Sequence, residues 1–188
     1  MTMTEHTEIL LGLRRDMARS QKKGLHFILA AVIVWTLVLV IHLLPISLDT
    51  RNILTFICSA PLFLLAVGIS KLLHVNFFDK SNPLSKPGIA FSMNQMLYLP
   101  LTMWAFRAHP ERMLMIYAVI TGAHLLPYAW LYLSDAYLRF SFLLTFAAFA
   151  VGLTCSPAVL AGTMLVLFIG FALCLRSELR REAAASES

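Results

Sequence analysis

Long apolar stretches alternate with short polar segments along almost the whole chain. A helix needs about 20 apolar residues to cross the hydrocarbon of a bilayer. Six stretches approach that length, each bounded by charged residues, proline or a short polar loop: 25–44, 52–73, 89–106, 113–133, 137–154 and 158–175. The pattern therefore predicts an all-α, polytopic transmembrane bundle of six spans.

The remaining segments lie at the two ends of the chain. In residues 1–24, Leu10, Leu13 and Met17 share one helical face among basic residues, which predicts a short helix lying on the inner membrane surface. A frayed basic tail is the alternative. Residues 25–175 form the single transmembrane domain. The tail at 176–188 has no apolar face, and we expect it to be mobile.

Composition supports the membrane interpretation and argues against nucleic acid as a partner. Hydrophobic residues make up 59% of the 188 residues and charged residues only 13%, whereas soluble domains have about 25% charged residues. The net charge is +5, but the basic residues flank the apolar stretches and do not form a patch with interleaved aromatics. We expect them to contact anionic lipid headgroups.

The distribution of basic residues predicts the orientation, because Lys and Arg accumulate in short cytoplasmic loops. With the N-terminus inside, three of the 15 basic residues are external, namely Arg51, Arg107 and Arg112. The others are cytoplasmic: Arg14, Arg15, Arg19, Lys22, Lys23, Lys71, Lys80, Lys86, Arg139, Arg176, Arg180 and Arg181. Both termini are therefore predicted to be cytoplasmic in a multi-pass protein of the inner (plasma) membrane.

Polar side chains follow one face of the third and fourth predicted spans. Asn94, Tyr98 and Thr102 are spaced by four residues, and Gln95 borders the same stripe. On the fourth span the stripe consists of Tyr117, Thr121, His124, Tyr128 and Tyr132. Successive antiparallel spans usually pack side by side. We therefore expect Tyr98 to be level with His124, and Gln95 to be level with Tyr128.

An ionisable group within a span is costly and is by default a functional candidate. His124 could bind a ligand or relay protons, or it could be a neutral imidazole that only hydrogen-bonds to Tyr98 or Gln95. Asn94, Gln95 and Tyr98 have the same alternative, as interhelical packing contacts. Pro100 breaks the hydrogen bonding of the third span close to this stripe and would allow flexing.

Three classes of function follow. In the first, a polar cavity between the third and fourth spans handles a small solute or ion: His124 and Tyr98 bind it or relay protons, Asn94, Gln95 and Tyr128 orient it, and Thr121 lies on the same stripe. In the second, the chain is an accessory or structural protein that binds partners or its own copies through small residues, Ala148 and Gly152. The third is an intramembrane or outer-face enzyme.

The sequence favours neither metal chemistry nor catalysis. No other histidine is level with His124, so a mid-membrane metal or haem site lacks ligands. Interfacial residues such as His42, Asp49, His109 and Glu111 could form an outer cluster, but such residues commonly collect at interfaces. No known catalytic motif is present, and we predict no cofactor, metal or catalytic residue. Cys58, Cys155 and Cys174 resemble small core residues, although Cys58 and Cys155 could reach one another.

The stretches QKKGLHFILA, NPLSKPGIAFSMNQMLYLPLTMWAF and ITGAHLLPYAWLY together resemble a family of small bacterial membrane proteins known only as a domain of unknown function. The resemblance extends over residues 15–175. It implies a one-domain helical bundle in the bacterial inner membrane. It implies no activity, so no site residue can be transferred from it.

Overall fold

The computed structural model describes residues 2–79 and 81–187, so Met1, Lys80 and Ser188 lie outside the described residues. Within those ranges all regular elements are helical, which confirms the predicted all-α class. The α-helices are α1 (Met3–Ser20), α2 (Leu25–Leu43), α3 (Leu48–Ser59), α4 (Leu62–Leu72), α5 (Ser85–Leu97), α6 (Leu99–Ala108), α7 (Met113–Ala123), α8 (Leu126–Tyr132), α9 (Asp135–Thr154) and α10 (Pro157–Glu187).

The second, third and fourth predicted spans are each divided into two helices. The first break separates α3 from α4 with a bend of 40°, the second lies at Tyr98, and the third lies at His124 and Leu125. A proline lies at or just after each break: Pro61, Pro100 and Pro127. Because proline has no N–H and its ring clashes with the carbonyl one turn earlier, a regular helix is interrupted at these positions.

Four helices in the described chain are long and apolar enough to cross a membrane: Lys22–Leu43, Pro110–Tyr132, Asp135–Thr154 and Pro157–Ala184. The bent pair of α3 and α4 adds a fifth if it is counted as one span. The stretch Pro110–Tyr132 is counted as one span even though α7 and α8 are separated at His124 and Leu125. The predicted third span is not among the four; its helices have 13 and 10 residues, and the first carries the polar Asn94 and Gln95. The structure therefore supports four or five candidate spans.

The core lies where α2, α7, α9 and α10 pack together. Trp35 of α2 is buried, with its ring centroid 6.3 Å from that of Phe168 in α10 and 5.7 Å from that of Tyr117 in α7. α7 approaches α9 at Gly122, where an added Cβ would lie only 2.6 Å from the backbone nitrogen of Thr145. A side chain at this position would therefore separate the two helices.

α1 packs across one end of the bundle and bridges two of its parts. The Arg14 guanidinium donates to the carbonyl of Trp130 in α8 and lies 4.6 Å from the centroid of the same indole ring. On its other side, Asn82 donates through Nδ2 to the Leu13 carbonyl and to the Asp16 carboxylate, each at 2.8 Å. The predicted N-terminal helix is thus present and is bound to the segment that precedes α5.

Polar contacts distinguish the two ends of the bundle. Where α2 begins, Lys22 Nζ donates to the Leu73 carbonyl at 2.6 Å. At the opposite end, Asn52 Nδ2 donates to the Pro110 carbonyl at 2.8 Å. We call the first the Lys23 end, after the residue that follows Lys22, and the second the Asn52 end.

Between α1 and α2 the backbone takes an unusual left-handed turn. Lys22, Lys23 and Gly24 have φ angles of 45°, 49° and 67°. A left-handed conformation costs a non-glycine residue about 1–2 kcal/mol, so tertiary contacts must hold the two lysines. At Gly24 an added Cβ would lie 2.9 Å from the Tyr137 hydroxyl oxygen, so this position requires glycine for both conformation and space.

Lys23 is a charged residue that is almost completely buried, with only 1% of its surface exposed. Its Nζ lies 3.0 Å from Glu178 Oε2 and 2.6 Å from Glu182 Oε1. Glu178 also accepts from Ser134 Oγ and from the Ala136 N–H, both at 2.7 Å. One carboxylate therefore joins the start of α2, the N-terminus of α9 and the polar extension of α10.

The tail predicted to be mobile is instead helical, because α10 continues as far as Glu187. The reason is the contact just described. Glu178 and Glu182 lie one turn apart on α10 and both reach Lys23, which fixes this part of the helix against the bundle.

Replacing Glu178 with alanine should strongly destabilise the fold, because it leaves a buried ammonium group without its main partner. The expected loss in the free energy of unfolding is about 3 kcal/mol, measured by chemical or thermal unfolding in detergent micelles. Glu182→Ala is the matched control: this carboxylate is exposed, and its removal should cost less than about 1 kcal/mol. Equal losses for the two variants would contradict the central role assigned to Glu178.

Candidate functional site

The three helix breaks lie at nearly the same depth in the bundle. α3 and α7 begin at the Asn52 end, and α6 ends there. With a rise of about 1.5 Å per residue, the breaks at Ala60, Tyr98 and His124 lie about 15–18 Å from that end. We call this level the break layer.

The broken segments are also neighbours. The Phe56 ring of α3 and the Phe106 ring of α6 have centroids 6.2 Å apart and meet edge to face. One turn deeper, the Ser59 side chain of α3 interacts with the Tyr117 phenol of α7. These contacts place α3 beside α6 and α7 between the Asn52 end and the break layer.

His124 lies at the break between α7 and α8. Its backbone N–H donates to the Ile120 carbonyl at 3.1 Å and ends α7. Its ring nitrogen Nδ1 is buried and has no well-formed hydrogen bond to any described residue; the carbonyls of Ile120 and Thr121 are its polar neighbours. The imidazole meets the Tyr128 ring edge to face, with centroids 6.5 Å apart.

Tyr128 connects α8 to α5. Its hydroxyl forms a 2.6 Å hydrogen bond with Ser92 Oγ and donates to the Gly88 carbonyl at 3.3 Å. Its ring stacks on Tyr132 and tilts against Tyr137, each with a centroid distance of 5.8 Å. A column of three tyrosines therefore extends from His124 to the Lys23 end.

The other predicted site residues have different surroundings. Thr121 is buried and donates to the Tyr117 carbonyl of its own helix at 2.8 Å. Asn94 and Gln95 are half-buried, and in the described chain their side chains form no hydrogen bond. Tyr98 is 46% exposed. Of the six predicted site residues, His124 and Tyr128 are in direct contact.

The two predicted pairings across α5 and α8 are not present among the described contacts. Tyr128 bonds to Ser92 and not to Gln95, and no hydrogen bond or ring contact joins Tyr98 to His124. The physical reason is the register of the helix. The expected pairing assumes a helix that starts at residue 89, but α5 starts at Ser85, about one turn earlier, so Ser92 takes the level expected of Gln95.

Sequence reasoning missed Ser92 and Ser59. Ser92 follows Gly88 by four residues and precedes Gln95 by three, so all three lie on one face of α5. That spacing was a usable signal. No sequence signal pointed to Ser59, because its contact with Tyr117 joins residues far apart in the chain.

The described residues include no group of three His, Cys, Asp or Glu side chains placed to hold a metal ion. In the outer cluster considered above, His109 Nδ1 lies 3.6 Å from Glu111 Oε1. His42 is instead bonded to Thr55. The three cysteines are free thiols.

The small residues proposed for partner binding face the interior. Ala148 is completely buried, and a Cβ added at Gly152 would lie 2.3 Å from Met115 Cγ of α7. Arg112 Nη1 also donates to the Gly152 carbonyl at 2.8 Å. This face of α9 therefore packs within the chain, and it is not a free surface for another protein.

These observations define an all-α protein whose helices are suited to crossing a membrane, with polar side chains concentrated at broken helices. The chain belongs to a family of unknown function, DUF7010, whose model matches residues 10–178. This confirms the resemblance found in the sequence. No curated protein and no solved structure matches the chain.

Gly122→Ala tests whether α9 holds the broken segment in place. The added Cβ would meet the backbone of Thr145, which cannot move as a side chain could, and we expect a destabilisation of about 1–3 kcal/mol. Gly68→Ala is the control, because nothing lies within 4 Å of its added Cβ. The melting temperatures of both variants in detergent provide the measurement. A Gly122→Ala protein as stable as the control would argue against the close approach.

Proposed function

We propose that this chain is a six-pass protein of the bacterial inner membrane that binds a small polar solute or ion at the break layer. The observation that carries the proposal is that three neighbouring segments are interrupted at a similar depth, with His124 at one of the breaks. Broken helices leave backbone groups that neighbours, water or a ligand must satisfy. Many transporters place their binding sites at such breaks near the bilayer midplane.

The contacts at the helix ends support six crossings. Lys23 binds Glu178, so the start of α2 and the extension of α10 lie at the same end, and the number of crossings between them is even. Six crossings agree with that contact. The segment of α5 and α6 runs from Asn82, bound to α1 near the Lys23 end, to Pro110 at the Asn52 end. It supplies the sixth crossing, although its helices are short and polar.

The basic residues support a cytoplasmic Lys23 end. Twelve of the 15 Lys and Arg residues belong to segments at that end, and three belong to the other. In this orientation α1 lies along the inner surface, and its exposed Arg15 and Arg19 face anionic headgroups.

The side chains in and beside the break layer suit reversible binding of a polar molecule. His124 provides a buried imidazole nitrogen that can bind the solute or carry a proton, and Tyr128 holds the ring beside it. Asn94 and Gln95 offer amides that no described residue engages, Thr121 lies about one turn before His124 on α7, and Tyr98 lies at the break between α5 and α6. The helix α5 has no fully buried residue, so Pro100 can act as a flexing point for a loosely packed segment.

Reporter fusions test the topology. Fusions after Ser188 and in the 79–88 loop should report the cytoplasm, and a fusion within 107–112 should report the exterior, because of the bias in basic residues. Activity of a compartment-specific reporter, such as alkaline phosphatase, provides the measurement. An external signal from the 79–88 loop would refute the six-crossing arrangement.

The His124→Gln variant tests the site. Glutamine can replace a neutral hydrogen bond but cannot titrate near neutral pH. We expect the variant to fold with nearly wild-type stability and to lose the pH dependence of solute binding, measured as ligand-induced thermal shifts between pH 5 and 8. His124→Ala should lose the solute response as well. A His124→Gln protein with the full pH-dependent response would rule out proton exchange at His124.

A further inference from the structure

A second group of buried polar atoms without partners lies at the Asn52 end. His42 and Asn52 are 4% and 0% exposed, yet His42 Nδ1 and Asn52 Oδ1 have no hydrogen-bond partner among the described residues. The same is true of Arg51 Nε. Buried polar atoms are almost always hydrogen-bonded in native proteins, so three such atoms in one small region require an explanation.

These side chains are held in place by their other polar atoms. Arg51 Nη2 donates to the Leu44 carbonyl at 2.8 Å, and Asn52 Nδ2 donates to the Pro110 carbonyl at 2.8 Å. The orientation of Asn52 is therefore determined, since exchanging its amide atoms would place an oxygen against the carbonyl. The unpartnered atoms cannot find partners by simple rotation without breaking these bonds.

The three residues lie together through Thr55. Thr55 lies about one turn from both Arg51 and Asn52 on α3, at spacings of four and three residues. His42 Nε2 lies 3.2 Å from Thr55 Oγ1, which joins α2 to that face. The group is therefore a single cluster at the corner between two helices.

The hydrogen bonds also determine the chemistry of the cluster. The Thr55 hydroxyl donates its only proton to the Arg51 carbonyl at 2.9 Å. His42 must then donate to Thr55 through Nε2, which leaves Nδ1 as an unprotonated acceptor. The cluster thus offers two acceptors, His42 Nδ1 and Asn52 Oδ1, and one donor, the Nε–H of Arg51.

We propose that His42, Arg51 and Asn52 form an outer binding site for a small uncharged molecule of the primary amide or urea class. A carbonyl oxygen of such a molecule accepts from Arg51, and its N–H groups donate to His42 and Asn52. The positive charge of Arg51 disfavours cations, while the two acceptors disfavour carboxylates and phosphates.

The cluster also connects to the break layer. The Thr55 carbonyl accepts from Ser59 Oγ at 2.7 Å, and Ser59 interacts with Tyr117 on the stripe that leads to His124. The assignment of this class of molecule as the solute handled at the break layer rests on the proposed function above. Binding at the outer cluster does not depend on it.

Three molecules of nearly identical shape test the assignment: acetamide, acetate and acetamidinium are neutral, negative and positive. Thermal unfolding of the full chain in detergent is followed with increasing concentrations of each, because a ligand that binds only the folded protein raises Tm. We expect a concentration-dependent rise with acetamide and none with the two ions. Equal rises with all three, or no rise with acetamide, would overturn the proposal.

Arg51→Lys keeps the charge but removes the Nε donor from its position, and it should abolish the acetamide response. The exposed Arg107→Lys is the control and should respond like the wild type. His42→Phe should also lose the response; if it does not fold, the Arg51→Lys result decides. A full response in Arg51→Lys would overturn the proposal.

The same titration on His124→Gln separates this site from the proposed function. An acetamide response that persists in His124→Gln and disappears in Arg51→Lys supports the outer site by itself. A pH response that depends on His124 without any acetamide effect in the wild type would reject the outer site and leave the break-layer proposal standing.

Discussion

The buried ion pair between Lys23 and Glu178 is the constraint on which the arrangement of this bundle depends. A buried ammonium group is costly to desolvate and needs a partner with good geometry, which Glu178 provides at 3.0 Å. Because Glu178 also caps the N-terminus of α9, the same carboxylate sets the relative positions of α2, α9 and α10. The left-handed turn at Lys22 and Lys23 aims the ammonium inward, and Tyr137 holds that turn by donating to the Lys23 carbonyl at 3.0 Å.

The molecule divides into a continuous part and a broken part. α2, α9 and α10 are unbroken and supply most of the buried apolar side chains, including Trp35 and Phe168. The segments from α3 to α8 are broken and carry most of the polar groups discussed here. Such a division is physically reasonable for a binding protein, because regions that move are drawn from the less densely packed parts of a structure. α5, which has no fully buried residue, is the extreme case.

Two imidazoles in different surroundings illustrate how position determines chemistry. His42 donates through Nε2 to Thr55, whose own proton goes to the Arg51 carbonyl, and its free Nδ1 is therefore an acceptor. His124 lies at a helix break against the ring of Tyr128, and it is the residue to which we assign ligand binding or proton exchange. Neither residue belongs to a metal cluster among the described residues.

The sequence by itself determined what depends on local pattern. Long apolar runs with helical periodicity predict the all-α class and the positions of the unbroken helices, and the spacing of Thr121, His124 and Tyr128 places them on one stripe. A proline predicts that a helix is interrupted. The neighbouring helices decide whether it only bends or whether it ends, as α5 does just before Tyr98. Only the tertiary structure decided the Ser92–Tyr128 bond, the packing of Gly152 against Met115 and the ion pair between Lys23 and Glu178. Each of these contacts joins residues far apart in the chain, and no local pattern contains that information.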